Sequence, residues 1–304
     1  MILILGTAFA ALLGLAFGSF LNVCLSRWSA GESIVKPASH CRTCGRTLKW
    51  WENVPLVSWL ALRGRCRTCH AWIGWRHPLV ELAVALTWAV SAWQTLSALF
   101  VPATAAPDLF DAIAFGLVKM TLCWLLICLA ALDAEHLWLP DWLTLGGAAV
   151  GLLVSLVRFT TEWIWRSLPL HWSLDTGLAG HRAHVFDSAT RWLLGLLLIP
   201  GLVLLIRWLY HSLRGREGMG LGDVKLMLML AAWLGFSRTL LAFALGIIVG
   251  GVVGIAMLAL PAHGTTEKRG LTKLPFGAFL ASGGVVAALW GSDLIAVYLR
   301  WCSF

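Results

Sequence analysis

The sequence predicts an all-α polytopic membrane protein with about eight transmembrane helices and a cytoplasmic zinc-ribbon-like loop between the first and second. Three observations carry this. Of 304 residues, 59% are hydrophobic and 12% charged, and the mean hydropathy is +0.81, which excludes an ordinary soluble domain. Apolar runs occur at 2–22, 79–100, 112–132, 142–157, 191–209, 224–236, 239–260 and 276–299, most of them near the ~20 residues that cross ~30 Å of hydrocarbon. Between the first two runs lies the chain's longest polar segment, with two CxxC pairs.

The first run has no basic residue before its apolar core and no small-x-small cleavage site, and Arg27 follows it. It therefore reads as a retained helix with its N-terminus outside. Residues 27–78 form the polar loop domain, and residues 79–304 a membrane-embedded domain. With this orientation the loops at 23–78, 133–141, 207–225 and 261–275 face the cytoplasm and hold sixteen of the 23 Lys and Arg residues, as the positive-inside rule requires. Both termini are then periplasmic. The net charge of +8 is an orientation and lipid-contact signal, and nucleic-acid binding is not expected. The segments 224–236 and 142–157 are short for spans. The outer loop at 158–190 mixes Trp163, Trp165, Trp172, His171, His181 and His184, expected to be solvated or interfacial side chains.

Cys41 and Cys44 form one CxxC pair, and Cys66 and Cys69 another. This spacing matches a tetrahedral structural zinc site, and a reducing cytoplasm argues against disulfides. Gly45 and Gly64 supply turn residues beside the pairs. Four sulfur ligands leave no open position, so the metal would fold the loop rather than perform chemistry. Cys24, Cys123 and Cys128 have no partner spacing and read as small buried hydrophobes. Cys302 lies on the outer side.

Asp133 ends the apolar run of the third span, and Asp223 opens the sixth from the same side. Acids at a membrane edge are costly, and function is the default reading. If the two share a site, one ionised carboxylate activates water and one protonated carboxyl donates to the substrate. Asp223 closes the run GMGLGD, in which Gly218, Gly220 and Gly222 would let an extended substrate approach the backbone. The opposing reading is an N-cap, which is favoured for Asp141. Glu135, two residues from Asp133, is the competing acid.

At these residues the chain resembles the bacterial type IV prepilin peptidases, intramembrane aspartyl proteases with a GxGD element. The resemblance runs through GSFLNVCLSR at 18–27, the two CxxC pairs and their flanks up to Leu82, ALDAEHLWLPD at 131–141, GMGLGDVKLM at 218–227 and LPFGAFLASGG at 274–284. It implies cleavage of a basic leader from type IV prepilins or type II secretion pseudopilins at the cytoplasmic face of the inner membrane. It also implies methylation of the new N-terminus with S-adenosylmethionine. Mapped onto this chain, the catalytic acids are Asp133 and Asp223, and the cysteine tetrad is Cys41, Cys44, Cys66 and Cys69. No residue independently marks a methyl-donor pocket. Ser19, Asn22 and Arg27 form a polar strip that suits loop docking or helix packing at least as well as cofactor contact.

Two further classes compete. A proton-coupled transporter would also use membrane carboxylates, but no interrupted segments recur in matching halves. A scaffold docking partners through the zinc loop would leave the acids idle. Glu32, Glu52, Glu81, Glu135 and Glu217 are expected to offset the basic loop toward a basic leader, with Glu81 equally suited to anchor the loop to the second span. Lys119 within the third span is expected to pair or to snorkel.

Overall fold

A computed structural model describes residues 1–100, 109–167, 178–215, 220–259 and 274–302, with side chains described except at 162–186 and 258. Gly218 and Glu217, and the Trp and His side chains expected in the outer loop, lie outside this description. Among the described residues, seven helices are long and apolar enough to cross a membrane. The chain divides into two compact units, Met1–His136 and Leu137–Phe304.

In the first unit, α1 (Ile2–Trp28) packs on α3 (Arg76–Ala98), which also packs on α4 (Leu109–His136). The close approach depends on absent side chains. A Cβ at Gly14 would lie 2.8 Å from the Ala85 Cα, and one at Gly18 would lie 2.7 Å from the Glu81 Cα. This is the small-xxx-small contact by which membrane helices gain van der Waals packing without a hydrophobic driving force. Pro78 sits in the first turn of α3, where no intrahelical N–H is needed. Lys119 on α4 donates to Gln94 Oε1 on α3 at 2.9 Å, so it pairs within the bundle. Cys24, Cys123 and Cys128 are fully buried, as expected for small hydrophobes.

Between α1 and α3 the loop carries a 3-10 turn (Trp50–Asn53) and a short helix, α2 (Val57–Ala61).

In the second unit, α7 (Leu221–Ala259) contacts α5 (Asp141–Ser167), α6 (Leu178–Arg214) and α8 (Phe276–Cys302). The runs expected at 224–236 and 239–260 are joined in α7, which accounts for seven apolar helices among the described residues where eight runs were counted. The join is not a regular helix, because Gly235 has φ 72° and ψ −172°. Beside this break the Ala232 carbonyl accepts from Ser155 Oγ at 2.8 Å and Trp192 Nε1 at 3.0 Å. Side chains thus satisfy backbone that water cannot reach. Leu226, Met227, Met229 and Leu230 on α7 are fully buried. On α8, Gly283 has the carbonyl of Ala242 2.4 Å from where a Cβ would stand. Much of the expected outer loop at 158–190 is helical, because α5 runs on to Ser167 and α6 starts at Leu178. Pro200 lies inside α6, while Pro140 and Pro275 precede α5 and α8.

Candidate active site and metal centre

The four cysteines converge. Their sulfur atoms all lie within 4.8 Å of one another, and Cys41 Sγ stands 3.7 Å from Cys69 Sγ. A tetrahedral ion with ~2.3 Å metal–sulfur bonds places its ligands ~3.8 Å apart, so the tetrad fits such an ion. Two equivalent hairpins build it. In the first, Cys41 N–H donates to the Arg46 carbonyl and Gly45 N–H to the Cys41 carbonyl; in the second, Cys66 N–H donates to Ala71 and His70 N–H to Cys66. Both closing residues are left-handed, Gly45 at φ 69° and His70 at φ 54°. The repeated CRTC carries the pattern, but His at the second left-handed position hid the equivalence. Backbone N–H groups of Cys69 and Thr68 pull the Cys66 thiol down to about 6. Cys69 is pushed up to about 11: the Ala71 backbone N–H favours its thiolate, but burial and the neighbouring cysteine sulfurs outweigh it. Four clustered thiols cannot all ionise without a cation to compensate them.

Charged side chains brace this loop. Arg46 forks onto Glu52 at 2.8 and 3.1 Å, and Lys49 N–H donates to the same carboxylate at 2.8 Å. The guanidinium holds Glu52 below the usual carboxylate range. Arg67 lies over the Trp51 ring at 5.0 Å. Gly64, at φ 67°, has Trp72 and Trp59 carbons 2.7 and 2.9 Å from where a Cβ would stand. The loop is tied to the membrane helices through Arg27 and Glu81, while Asn22 joins α1 to the start of α3. Asn22 Nδ2 donates to the His77 carbonyl at 3.0 Å. Arg27 donates to the carbonyls of Ser33 and Pro37. Glu81 Oε2 accepts from Leu56 N–H at 2.7 Å, holding a residue strained at φ 57°. Of the two roles open to Glu81, anchoring is the one observed; Arg27 docks the loop, and Asn22 packs α1 on α3.

The two candidate acids belong to different units, and each is built locally. Asp133 lies in the last turn of α4 and is 6% exposed. Its competitor Glu135 is more exposed and pairs with Arg76 at 2.7 Å. Beyond His136 the chain turns through Leu137 at φ 50°. Asp223 is the third residue of α7 and is 7% exposed. Its Oδ2 accepts from Gly220 N–H at 3.2 Å, half of a capping box that fixes the helix start. Helix start and functional acid are therefore not exclusive readings. A Cβ on Gly222 would lie 3.1 Å from the Leu139 side chain, so this glycine permits helix packing, while space around Gly220 is freer. Asp141, expected to cap α5, is its first residue and pairs with Lys225 Nζ at 2.6 Å. Of the acids expected to meet a basic leader, Glu52, Glu81 and Glu135 are engaged within the protein, and Glu32 is exposed.

Comparison with known proteins follows this layout. The bacterial peptidase A24 N-terminal domain matches residues 12–95, and the type IV leader peptidase family matches residues 120–255. A curated relative from Pseudomonas aeruginosa, named prepilin leader peptidase/N-methyltransferase, is 34% identical over 96% of this chain and 93% of its own. Proteins of the same name from Stutzerimonas stutzeri and Burkholderia pseudomallei are 33% and 35% identical, covering 96% and 94% of this chain and 93% and 85% of theirs. No solved structure matches the chain. The N-terminal match takes in the whole cysteine loop, and the second contains both candidate aspartates; this chain belongs to the type IV leader peptidase family.

Proposed function

We propose that the chain is a membrane aspartyl endopeptidase that removes the leader from type IV prepilins or type II secretion pseudopilins and N-methylates the exposed residue. The observation that carries this is similarity along almost the whole length to relatives named for both activities. Asp133 and Asp223 act as the catalytic pair. Two facts support the assignment: each carboxylate is nearly buried, and each lies at the end of a long apolar helix. One aspartate takes a proton from water as it adds to the scissile carbonyl. The other gives a proton to the leaving amine as the C–N bond breaks. Gly220, with freer space around it than Gly222, leaves room for the extended substrate beside Asp223.

Cys41, Cys44, Cys66 and Cys69 hold a structural zinc ion that folds the loop. S-adenosylmethionine, when bound, would supply an activated methyl group for the newly exposed amine. Site and loop face the cytoplasm across the bacterial inner membrane. The arginine-rich loop, on the positive-inside rule, supports that orientation.

The test is incubation of the purified chain in liposomes with a prepilin, with the product read by mass spectrometry. Cleavage at the leader boundary is expected, with one methyl added when S-adenosylmethionine is present. An uncut prepilin removes the peptidase, and a cut but unmethylated product leaves a peptidase alone.

A further inference from the structure

The loop between α1 and α3 lies outside the apolar spans, yet it leaves large apolar side chains open. On α2, Val57 and Leu60 stand three residues apart, share a face of the helix, and are 61% and 65% exposed. Trp59 of the same helix packs its ring 4.5 Å from that of Trp75 and 5.8 Å from that of Trp72, and those two rings lie 5.8 Å from each other. Trp59 Nε1 donates to the Ile73 carbonyl at 3.0 Å, which pins α2 against the segment leading into α3. This packing does not bury the outer rings, since Trp72 and Trp75 remain 54% and 60% exposed. A contiguous apolar patch of this kind marks a surface that meets something.

Its level and its charge identify what covers it. Trp75 directly precedes α3, whose 23 residues extend about 34 Å, close to the ~30 Å hydrocarbon core. The indole cluster is thereby held where that helix leaves the hydrocarbon. The exposed surface also runs on without a gap. Trp75, Leu79, Leu82 and Leu86 are all exposed, and their spacing of four, three and four residues puts them on one stripe of α3. Within the span that stripe meets lipid, and Trp75 stands at its head.

Arg63 and Arg65 supply the charge. They flank Gly64, where Trp59 and Trp72 meet, and both are exposed. Indole rings prefer the interfacial zone, and guanidinium groups beside them suit phosphate oxygens. We infer that this face of the cysteine loop lies in the headgroup layer of the membrane that α3 enters. Val57, Leu60, Trp72 and Trp75 sit among the lipid glycerol and upper acyl groups, and Arg63 and Arg65 meet the phosphates. The cysteine centre is then carried on the bilayer surface. This placement goes beyond the proposed peptidase and methyltransferase activities and depends on neither.

The test uses the full chain in liposomes of phosphatidylethanolamine and phosphatidylglycerol. With Leu60→benzoylphenylalanine, irradiation is expected to attach phospholipid to the loop peptide, read by mass spectrometry. Attachment to a second copy of the chain instead, or no attachment by a variant with the wild-type thermal midpoint, overturns the inference. The unaltered chain gives an independent reading with a phospholipid that carries a diazirine near its glycerol. Label is expected within residues 57–75, and label confined to the apolar spans overturns the inference as well. Arg63→Glu combined with Arg65→Glu is expected to lower that loop labelling at least about threefold. Equal labelling of the folded double variant overturns the phosphate contacts.

Discussion

Asp133 and Glu135 stand two residues apart, and burial separates them. A nearly buried carboxylate at the end of an apolar helix is costly without a task, whereas Glu135 forms a partly exposed ion pair with Arg76 of the kind worth ~0–1 kcal/mol. Glu135→Gln is therefore expected to keep prepilin cleavage within about fivefold of wild type. A much deeper loss in a steady-state cleavage assay would transfer the role to Glu135. At the metal centre, Cys66→Ser is expected to remove stoichiometric zinc and to change tryptophan emission, because Trp59 and Trp72 pack over Gly64 beside that hairpin. Full zinc occupancy by plasma emission would argue against a four-thiolate site. The cysteine tetrad was legible in the sequence because metal geometry demands a spacing. The preference for Asp133 over Glu135 came from the family resemblance alone, since helical position does not report which side chain packing covers. Nor could the sequence show Asp223 bracing its own helix start through Gly220, a local bond that leaves no distinct residue pattern.

At the scale of elements, hydropathy located the apolar segments well, because crossing hydrocarbon requires a continuous run. It failed at their ends. The stretch after 158 carries Arg158 and mixed Trp, yet α5 continues through it, since an α-helix satisfies its own backbone whatever its side chains. The contact of α1 with α3 was not read either, although Gly14 and Gly18 are spaced for it. Gly18→Val is expected to destabilise the first unit by about 1–3 kcal/mol, because a Cβ meets the Glu81 backbone rather than a movable side chain. Thermal unfolding in detergent would detect this, and an unchanged midpoint would contradict the close packing. Gly235→Ala is expected to cost a similar ~1–3 kcal/mol, since its φ of 72° disfavours a Cβ. The same measurement in the variant tests it.

At the scale of the whole molecule, the break in α7 bears on topology. Its 39 residues would span about 58 Å as a straight helix, nearly twice the ~30 Å hydrocarbon core. We take the two halves as separate crossings, which gives an even number of spans. A C-terminal alkaline phosphatase fusion is then expected to be active in the periplasm. A silent phosphatase with a fluorescent cytoplasmic fusion at the same point would require an odd number of crossings.

The central proposal is that Asp133 and Asp223 are the two catalytic acids. The most direct measurement is single-turnover cleavage of a purified prepilin by wild type, Asp133→Asn and Asp223→Asn, each verified as folded by zinc content and thermal midpoint. Loss of roughly 10³-fold or more in both variants is expected, since each carboxyl handles a proton in the transition state. Retention of near wild-type cleavage by either folded variant would remove that aspartate from the chemistry and, with it, the pair.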